Sequence, residues 1–126
     1  IFLAFYFSYP QLKRRPYAYI RDDDVSYFRD LLADDGTRVI ADPEKLIQHS
    51  CDWLKTLRGS SPLLIFPKSV DEIRKVLAYC FAKNLAVAVQ GGNTSMVGGA
   101  IPIFDEIILN TSLLNAIHFV DEISGE

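Results

Sequence analysis

The sequence has few of the residues that carry most enzymatic chemistry. Its 126 residues include two cysteines and two histidines. Cys51 and Cys80 lie far apart and match no metal or redox spacing, which predicts a buried thiol at each position in a reducing compartment. His49 and His118 have no Glu or His at metal-binding spacing, which predicts core or surface histidines. The sequence therefore predicts neither a catalytic residue nor a metal site in this chain.

The sequence also lacks an excess of one charge and a long apolar run. Thirteen basic and sixteen acidic residues give a net charge of −3, which argues against a nucleic-acid partner. The apolar run from Ile1 to Tyr9 is too short to span a bilayer. With 49% hydrophobic residues, the chain is expected to be globular and to form one domain at most.

The first twenty residues contain no acid and carry three consecutive basic residues, 13–15. This composition is typical of the end of a mitochondrial transit peptide, and an extended arm or a gene-model artefact explains it equally well. Because the chain begins without methionine, it is predicted to be a fragment. The expected division is an arm over 1–20, a helical lead-in over 21–60 and a domain over 61–126.

Two helices are predicted in the lead-in. Apolar residues recur at helical spacing from Asp24, and the polar run 34–36 ends this pattern. A second helix is predicted to begin at Asp42-Pro43, because aspartate caps a helix and proline suits its first position. Leu46 and Ile47 are expected to face inward. Both helices are predicted to be scaffold.

The remaining pattern predicts a βαβ unit, and hence the α+β class with a small parallel sheet. A short apolar strand, 63–66, precedes a capping box at Ser69 and Glu72. The strand 86–89, expected to be buried on both faces, follows the helix, and a third strand covers about 106–110. Six apolar residues are predicted on the inward face of the helix: Val70, Ile73, Val76, Leu77, Cys80 and Phe81.

A glycine-rich loop follows the strand 86–89. It reads Gln90-Gly91-Gly92-Asn93-Thr94-Ser95-Met96-Val97-Gly98-Gly99. Glycine lets the main chain approach a ligand closely, and successive N–H groups form a nest for phosphate. The side chains of Asn93, Thr94 and Ser95 can add neutral hydrogen bonds. The loop is therefore predicted to bind a diphosphate, with a glycine-rich turn that binds nothing as the alternative.

Two familiar phosphate motifs do not match this loop. A P-loop needs a lysine after its last glycine, whereas Ala100 follows Gly99. A dinucleotide fingerprint must open a helix, whereas these glycines lead to Pro102 and a strand. The loop is expected at the carboxyl end of a parallel strand, where open sheets bind ligands. Arg58, just before the first strand, is a further candidate to reach a cofactor or a neighbouring domain.

These motifs, taken in order, resemble those of the D-2-hydroxyglutarate dehydrogenases, a family of the vanillyl-alcohol oxidase-like flavoproteins. The residues that carry the resemblance lie at 52–61, 67–73, 84–87, 90–99 and 105–109. The resemblance implies the first lobe of a PCMH-type FAD-binding domain, whose pyrophosphate-binding loop is similar to the glycine-rich loop here. One departure is Ser95, where the family pattern leads us to expect glycine.

The resemblance also implies a set of FAD-binding residues. They are Pro67, Gln90, Gly91, Gly92, Asn93, Thr94, Ser95, Val97, Gly98, Gly99, Thr111 and Ser112. Main-chain N–H groups of 91–94 and 97–98 are expected to hold the pyrophosphate. Thr111 or Ser112 is expected to touch the flavin or its ribityl chain, with Leu113 and Leu114 packed underneath.

The activity implied is oxidation of a D-2-hydroxy acid, D-2-hydroxyglutarate to 2-oxoglutarate, in the mitochondrial matrix. Electrons would pass to an acceptor such as electron transfer flavoprotein, and the substrate would bind in a domain outside this chain. Two alternatives remain open. One is a related FAD-linked enzyme, such as a D-lactate dehydrogenase or a glycolate oxidase subunit. The other is a truncated, non-catalytic module for flavin binding or protein interaction.

Overall fold

The structure, a computed structural model, describes residues 13–125. Its helices and strands are, in chain order, α1 (Asp22–Leu31), β1 (Val39–Ile40), α2 (Pro43–Ile47), β2 (Leu64–Ile65), α3 (Val70–Ala82), β3 (Val87–Gln90) and β4 (Ile107–Asn110). The strands form one sheet in the order β1-β2-β4-β3. β1 is antiparallel to β2, and both β2 and β3 are parallel to β4. The predicted α+β class, with a βαβ unit and a parallel sheet, is confirmed.

The position of β4 corrects one prediction from the sequence. β4 lies between β2 and β3, and all four of its residues are buried. β3 was expected to be buried on both faces, but it lies at the edge of the described sheet and Val89 is 58% exposed. Composition alone cannot separate these two apolar strands. The tertiary structure shows which of the two is interior, because β4 pairs with a strand on each side.

Helix α2 begins at Pro43 as predicted, whereas α1 begins at Asp22, two residues before the predicted start at Asp24. In α1, the Asp24 side chain accepts a hydrogen bond from the main-chain N–H of Arg21, 2.8 Å away. In α2, the Asp42 side chain accepts from the N–H of Glu44 at 3.0 Å. Leu46 is buried, but the inward position predicted for Ile47 is wrong because that side chain is 58% exposed. A five-residue helix presents only one narrow side to the core.

Helix α3 forms half of the predicted capping box. The Ser69 hydroxyl accepts from the N–H of Glu72 at 3.2 Å. The Glu72 carboxylate accepts instead from the N–H of Lys68, at 2.6 Å. The inward face is also narrower than predicted, since Val70 is 76% exposed and Phe81 is 90% exposed. The core side of the helix is centred on Val76 and Cys80, which are both buried.

A buried arginine joins the lead-in to the βαβ unit. The guanidinium of Arg38 donates to the carbonyl of Leu32 at 2.5 Å and to that of Phe66 at 3.1 Å. It also forms an ion pair with the Glu72 carboxylate. The end of α1, the end of β2 and the start of α3 therefore meet at one side chain. No feature of the local sequence indicated this role.

The described part of the arm also lies against the sheet. Arg14 donates to the two carboxylate oxygens of Asp105, at 2.6 and 2.7 Å. The N–H of Ala18 donates to the carbonyl of Asn84 at 2.8 Å, next to a parallel bridge between Ala18 and Leu85. The transit-peptide prediction covers residues 1–20, of which 1–12 lie outside the described residues. Within 13–125, no helix has the length and apolarity needed to cross a membrane.

The two cysteines differ in environment. Cys80 is buried in the core and, because burial disfavours the thiolate, its pKa is raised to about 12. Cys51 was predicted to be buried as well, but its side chain is only partly covered. Cys51 lines a cavity beside the glycine-rich loop, together with Gly92 and Asn93.

This difference predicts selective alkylation of the native protein. Iodoacetamide at pH 8 should modify Cys51 and leave Cys80 intact, because the thiolate is the reactive form. Peptide mass mapping after a timed reaction measures both sites. Unfolding in denaturant is the control and should make both sites reactive. Equal labelling of Cys80 in the native protein would contradict the buried assignment.

Candidate functional site

The candidate site lies at the carboxyl edge of the parallel strands. Gln90 ends β3 and is paired with Asn110, which ends β4. The glycine-rich loop leaves the sheet after Gln90, and Thr111 and Ser112 leave it after Asn110. The N–H of Thr111 donates to the carbonyl of Gln90 at 2.9 Å. The structure therefore brings the predicted residues Thr111 and Ser112 to the start of the loop.

The first half of the loop presents free main-chain donors. Within residues 13–125, no group accepts a hydrogen bond from the N–H of Gly91, Gly92, Asn93 or Thr94. Gly91, Gly92 and Thr94 are exposed. Asn93 has a φ of +52°, the left-handed conformation that alternates with right-handed residues in anion-binding nests. Four consecutive donors are therefore available to an anion.

The loop glycines divide into two kinds. Gly98 has a φ of +73°, and a Cβ there would lie 2.4 Å from Leu57 Cδ1, so this chain's own fold favours glycine at this position. At Gly91, Gly92 and Gly99 the nearest atoms to an added Cβ lie at 3.9, 3.7 and 3.5 Å, and none has a positive φ. Packing within the described chain does not require glycine at these three positions. Glycine at these positions leaves the main chain open to the close approach of a ligand.

The second half of the loop is organised by Ser95. Its hydroxyl accepts from the N–H of Val97 at 3.3 Å and from the N–H of Gly99 at 3.2 Å. Two donors of this half are therefore bonded to the side chain that replaces the expected glycine. The carbonyl of Ser95 accepts from the N–H of Trp53 at 3.3 Å. The serine thus joins the loop to a neighbouring segment.

That neighbouring segment, residues 50–60, supports the loop along its length and was not predicted to do so. Asn93 Nδ2 donates to the carbonyl of Cys51 at 2.9 Å. The Asp52 carboxylate accepts from the N–H of Leu57 and the hydroxyl of Thr56, each at 2.9 Å, and the bond from Leu57 lowers the pKa of Asp52. The Asp52 bonds fold the segment into a turn against the loop.

Near the end of this segment, Gly59 packs against Pro102, which follows the glycine-rich loop in the chain. A Cβ at this position would lie 1.6 Å from the carbonyl oxygen of Pro102. The N–H of Ser60 donates to the same oxygen at 3.0 Å. Arg58, which the sequence suggested for a cofactor, is exposed and lines a separate cleft of about 370 Å³ beside α2. No residue of the glycine-rich loop lines that cleft.

A cavity of about 570 Å³ adjoins the first half of the loop. It is lined by Gln48, His49, Cys51, Asp52, Trp53, Lys55, Gly92 and Asn93. Trp53 is 68% exposed and Lys55 carries a positive charge at the rim. Asn93 Oδ1 is buried without a hydrogen-bond partner among the described residues. The cavity offers room and polar groups for the parts of a ligand next to its phosphates.

Two predicted site residues have their side chains inside the protein. Pro67 is fully buried after β2 and leaves no ring surface for a ligand. Gln90 is also fully buried, and its carboxamide bonds to groups of this chain only. One of those groups belongs to His49. The sequence did not indicate that His49 lies beside the loop. Leu113 and Leu114, predicted to pack under the flavin, are 37% and 38% exposed.

Comparison with known proteins identifies one family model, described as FAD binding domain, which matches residues 61–126. The chain is 48% identical over 112 residues to the mitochondrial D-2-hydroxyglutarate dehydrogenase of Danio rerio. That alignment covers 89% of this chain and 20% of the relative. The chain is also 43% identical over 124 residues to a Schizosaccharomyces pombe protein named as a putative mitochondrial D-lactate dehydrogenase. That alignment covers 94% of this chain and 24% of the relative.

A solved structure of an alkyldihydroxyacetonephosphate synthase has the same fold. Its TM-score is 0.69 at 15% identity, and the match covers 86% of this chain and 22% of that one. At this identity the likeness shows the fold alone. The chain spans between a fifth and a quarter of the length of the curated relatives described above.

Proposed function

Because this chain belongs to the FAD-binding domain family, we propose that it forms the first lobe of the FAD site of a flavin-dependent dehydrogenase. The lobe would hold the pyrophosphate through the main-chain N–H groups of Gly91 to Thr94. The four free donors at the carboxyl edge of the sheet carry this proposal. Residues 61–126 would make up the lobe itself, with 21–60 as a helical lead-in.

The residues present fit a diphosphate. Main-chain donors suit an anion that is held and not cleaved, and Lys55 places a positive charge at the adjoining cavity. The open positions at Gly91 and Gly92 let phosphate oxygens approach the backbone. Thr94 would add a hydroxyl donor. Val97, Gly98 and Gly99 would form the wall of the site, and the Ser95 hydroxyl would hold that wall in place.

The other cofactor contacts would come from the neighbouring strand ends. Thr111 and Ser112 begin next to Gly91, and we assign them to the ribityl or ring part of FAD. Pro67 would act by packing, and Gln90 through the main chain and the loop. Bound FAD supplies the hydride acceptor, while the protein supplies binding and orientation. The groups that bind substrate and accept the hydroxyl proton would lie outside this chain.

For the whole protein we propose oxidation of D-2-hydroxyglutarate to 2-oxoglutarate in the mitochondrial matrix, with electron transfer flavoprotein as the class of acceptor. The name of the Danio rerio relative supports the substrate and the mitochondrial location. Oxidation of D-lactate is a second candidate, supported by the name of the Schizosaccharomyces pombe relative. A screen of D-2-hydroxy acids with the purified complete protein and an electron-accepting dye separates the two substrates.

Replacing Gly92 by alanine in the complete protein should weaken flavin binding at least about tenfold, equivalent to losing a hydrogen bond or more. The added methyl would occupy space at the phosphate. Among the described residues beyond its two neighbours in the chain, the closest atom to this methyl is Thr94 Cγ2 at 3.7 Å, so the fold should be kept. Flavin stoichiometry of the purified protein and titration of the flavin-free form with FAD measure the effect.

Gly36→Ala is the matched control. Gly36 has a φ of +93° and open space around it, so alanine there should reduce stability without affecting flavin binding. Comparing the two variants separates lost stability from lost binding. Full flavin occupancy and unchanged affinity in Gly92→Ala would show that the pyrophosphate does not lie on this loop.

A further inference from the structure

We propose that Gln90 is a positioning residue whose buried side chain holds the two ends of the glycine-rich loop together and so prepares the loop for the cofactor. This inference rests on the proposed function of the loop. Gln90 is the first residue of the loop, and Ala100 follows its last glycine. Gln90 Nε2 donates to the carbonyl of Ala100 at 3.3 Å. One side chain therefore closes the loop at its base.

The same carboxamide ties the loop to its surroundings. Gln90 Nε2 also donates to the carbonyl of His49 at 2.9 Å. Gln90 Oε1 accepts from Asn110 Nδ2 at 3.1 Å, and Asn110 Nδ2 lies 3.3 Å from the carbonyl of Gly91. The end of β4, both ends of the loop and the residues after α2 thus share one network. Its centre is fully buried, where polar groups must be bonded to one another.

The partners determine the orientation of the amide. Nε2 faces two carbonyl oxygens and Oε1 faces the amide nitrogen of Asn110, so a reversed amide would oppose donor to donor and acceptor to acceptor. The His49 ring nitrogen Nδ1 lies 2.7 Å from Oε1. Nδ1 therefore carries the proton and donates to Gln90. Among the described residues, the side-chain hydrogen bond of His49 reaches the loop through Gln90.

Closing the loop changes the cost of binding. Without the Gln90 bonds, the stretch from Gly91 to Gly99 would have to be ordered when the cofactor binds, and its glycines make that ordering costly. With the bonds in place, the free N–H groups of residues 91–94 are already arranged. Gln90 thus contributes to flavin affinity although its side chain is inaccessible to a ligand.

The test uses the complete protein, purified with flavin and then stripped of it. Gln90→Met keeps the shape of the side chain and removes all its hydrogen bonds. Gln90→Glu keeps the acceptor toward His49 and Asn110 and removes both donors. Gln90→Glu should raise the dissociation constant for FAD about 10- to 30-fold, as expected for two lost hydrogen bonds, and Gln90→Met, which loses four, should raise it at least as much. Amide hydrogen exchange over residues 91–99 of the flavin-free protein should become faster.

His49→Ala removes the ring N–H that donates to Gln90, at a partly exposed position. This variant provides the test if the Gln90 variants do not fold. It should weaken FAD binding a few-fold. Combined with Gln90→Met it should add nothing further, because it acts through Gln90. Tyr79→Phe is the matched control, since it removes a partly buried bond to Asp24 between α1 and α3. It should change neither loop exchange nor flavin affinity.

The outcomes separate the two proposals. If Gly92→Ala weakens FAD binding while Gln90→Met and His49→Ala leave affinity and loop exchange unchanged, the positioning role is wrong and the pyrophosphate site stands. If Gly92→Ala also leaves affinity unchanged, the proposed function of the loop is wrong as well. Faster loop exchange with weaker FAD binding, and no added effect in the double variant, supports the positioning role.

Discussion

Replacing Gly59 by alanine should destabilise this part of the protein by more than about 3 kcal/mol, beyond the usual cost of overpacking. The added Cβ would lie 1.6 Å from the carbonyl oxygen of Pro102 and 2.4 Å from its carbon. Both are main-chain atoms, so no side-chain rotation relieves the contact. The two segments would have to separate, which would break the hydrogen bond from Ser60 N–H to the same oxygen.

The separation should also lower flavin occupancy, because residues 50–60 support the glycine-rich loop through Asn93 and Ser95. Thermal unfolding and flavin content of the complete protein measure the two effects. Gly36→Ala provides the same chemical change in open space and should cost only about 1–2 kcal/mol, the strain of alanine at a φ of +93°. A Gly59→Ala protein that melts at the wild-type temperature would contradict the close approach of these two segments.

Arg38→Met should cost about 3 kcal/mol, the lower end of the range for breaking a buried ion pair. The Arg38 side chain is 7% exposed and that of Glu72 is 24% exposed, so water relieves only part of the loss. The carbonyls of Leu32 and Phe66 would also lose a donor. The midpoint of chemical denaturation, followed by far-UV circular dichroism, should fall accordingly.

Arg74→Met is the matched control, because Arg74 pairs with Asp71 at 2.6 Å on the surface of α3 with its side chain 75% exposed. The denaturation midpoint should hardly change, since exposed ion pairs contribute little. Adding Glu72→Gln to Arg38→Met should recover part of the loss by removing the unpaired charge. Equal effects of Arg38→Met and Arg74→Met would show that Arg38 does not join the lead-in to the βαβ unit.

The starts of α2 and α3 and the glycine-rich loop could be predicted because their causes are local. Asp42 and Ser69 accept hydrogen bonds from residues two or three positions ahead, within one turn of the chain. The apolar run before the loop and the glycines within it also lie in one short stretch. The FAD-binding family and the α+β class were readable from the same motifs.

The supporting contacts could not be predicted, because they join residues distant in the chain. In the sequence Gly59 resembles an ordinary turn glycine, and only the structure shows that Pro102 packs against it. His49 meets no metal-binding pattern, and its partner Gln90 is 41 positions away. Val70 and Phe81 fit a helical apolar stripe, yet the sheet covers only the part of the helix around Val76. Close approach and coverage of this kind depend on where other elements pack.

By itself, the sequence determined the nature of the elements and the chemistry of the loop, since backbone conformation, capping and free N–H groups depend on neighbouring residues. Tertiary structure alone decided that β4 lies between β2 and β3 and that β3 lies at the edge of the described sheet. It also decided that Gln90 faces inward, away from any ligand. The physical reason is that burial and hydrogen-bond partners in a sheet arise from pairing between segments far apart in sequence, which no local pattern specifies.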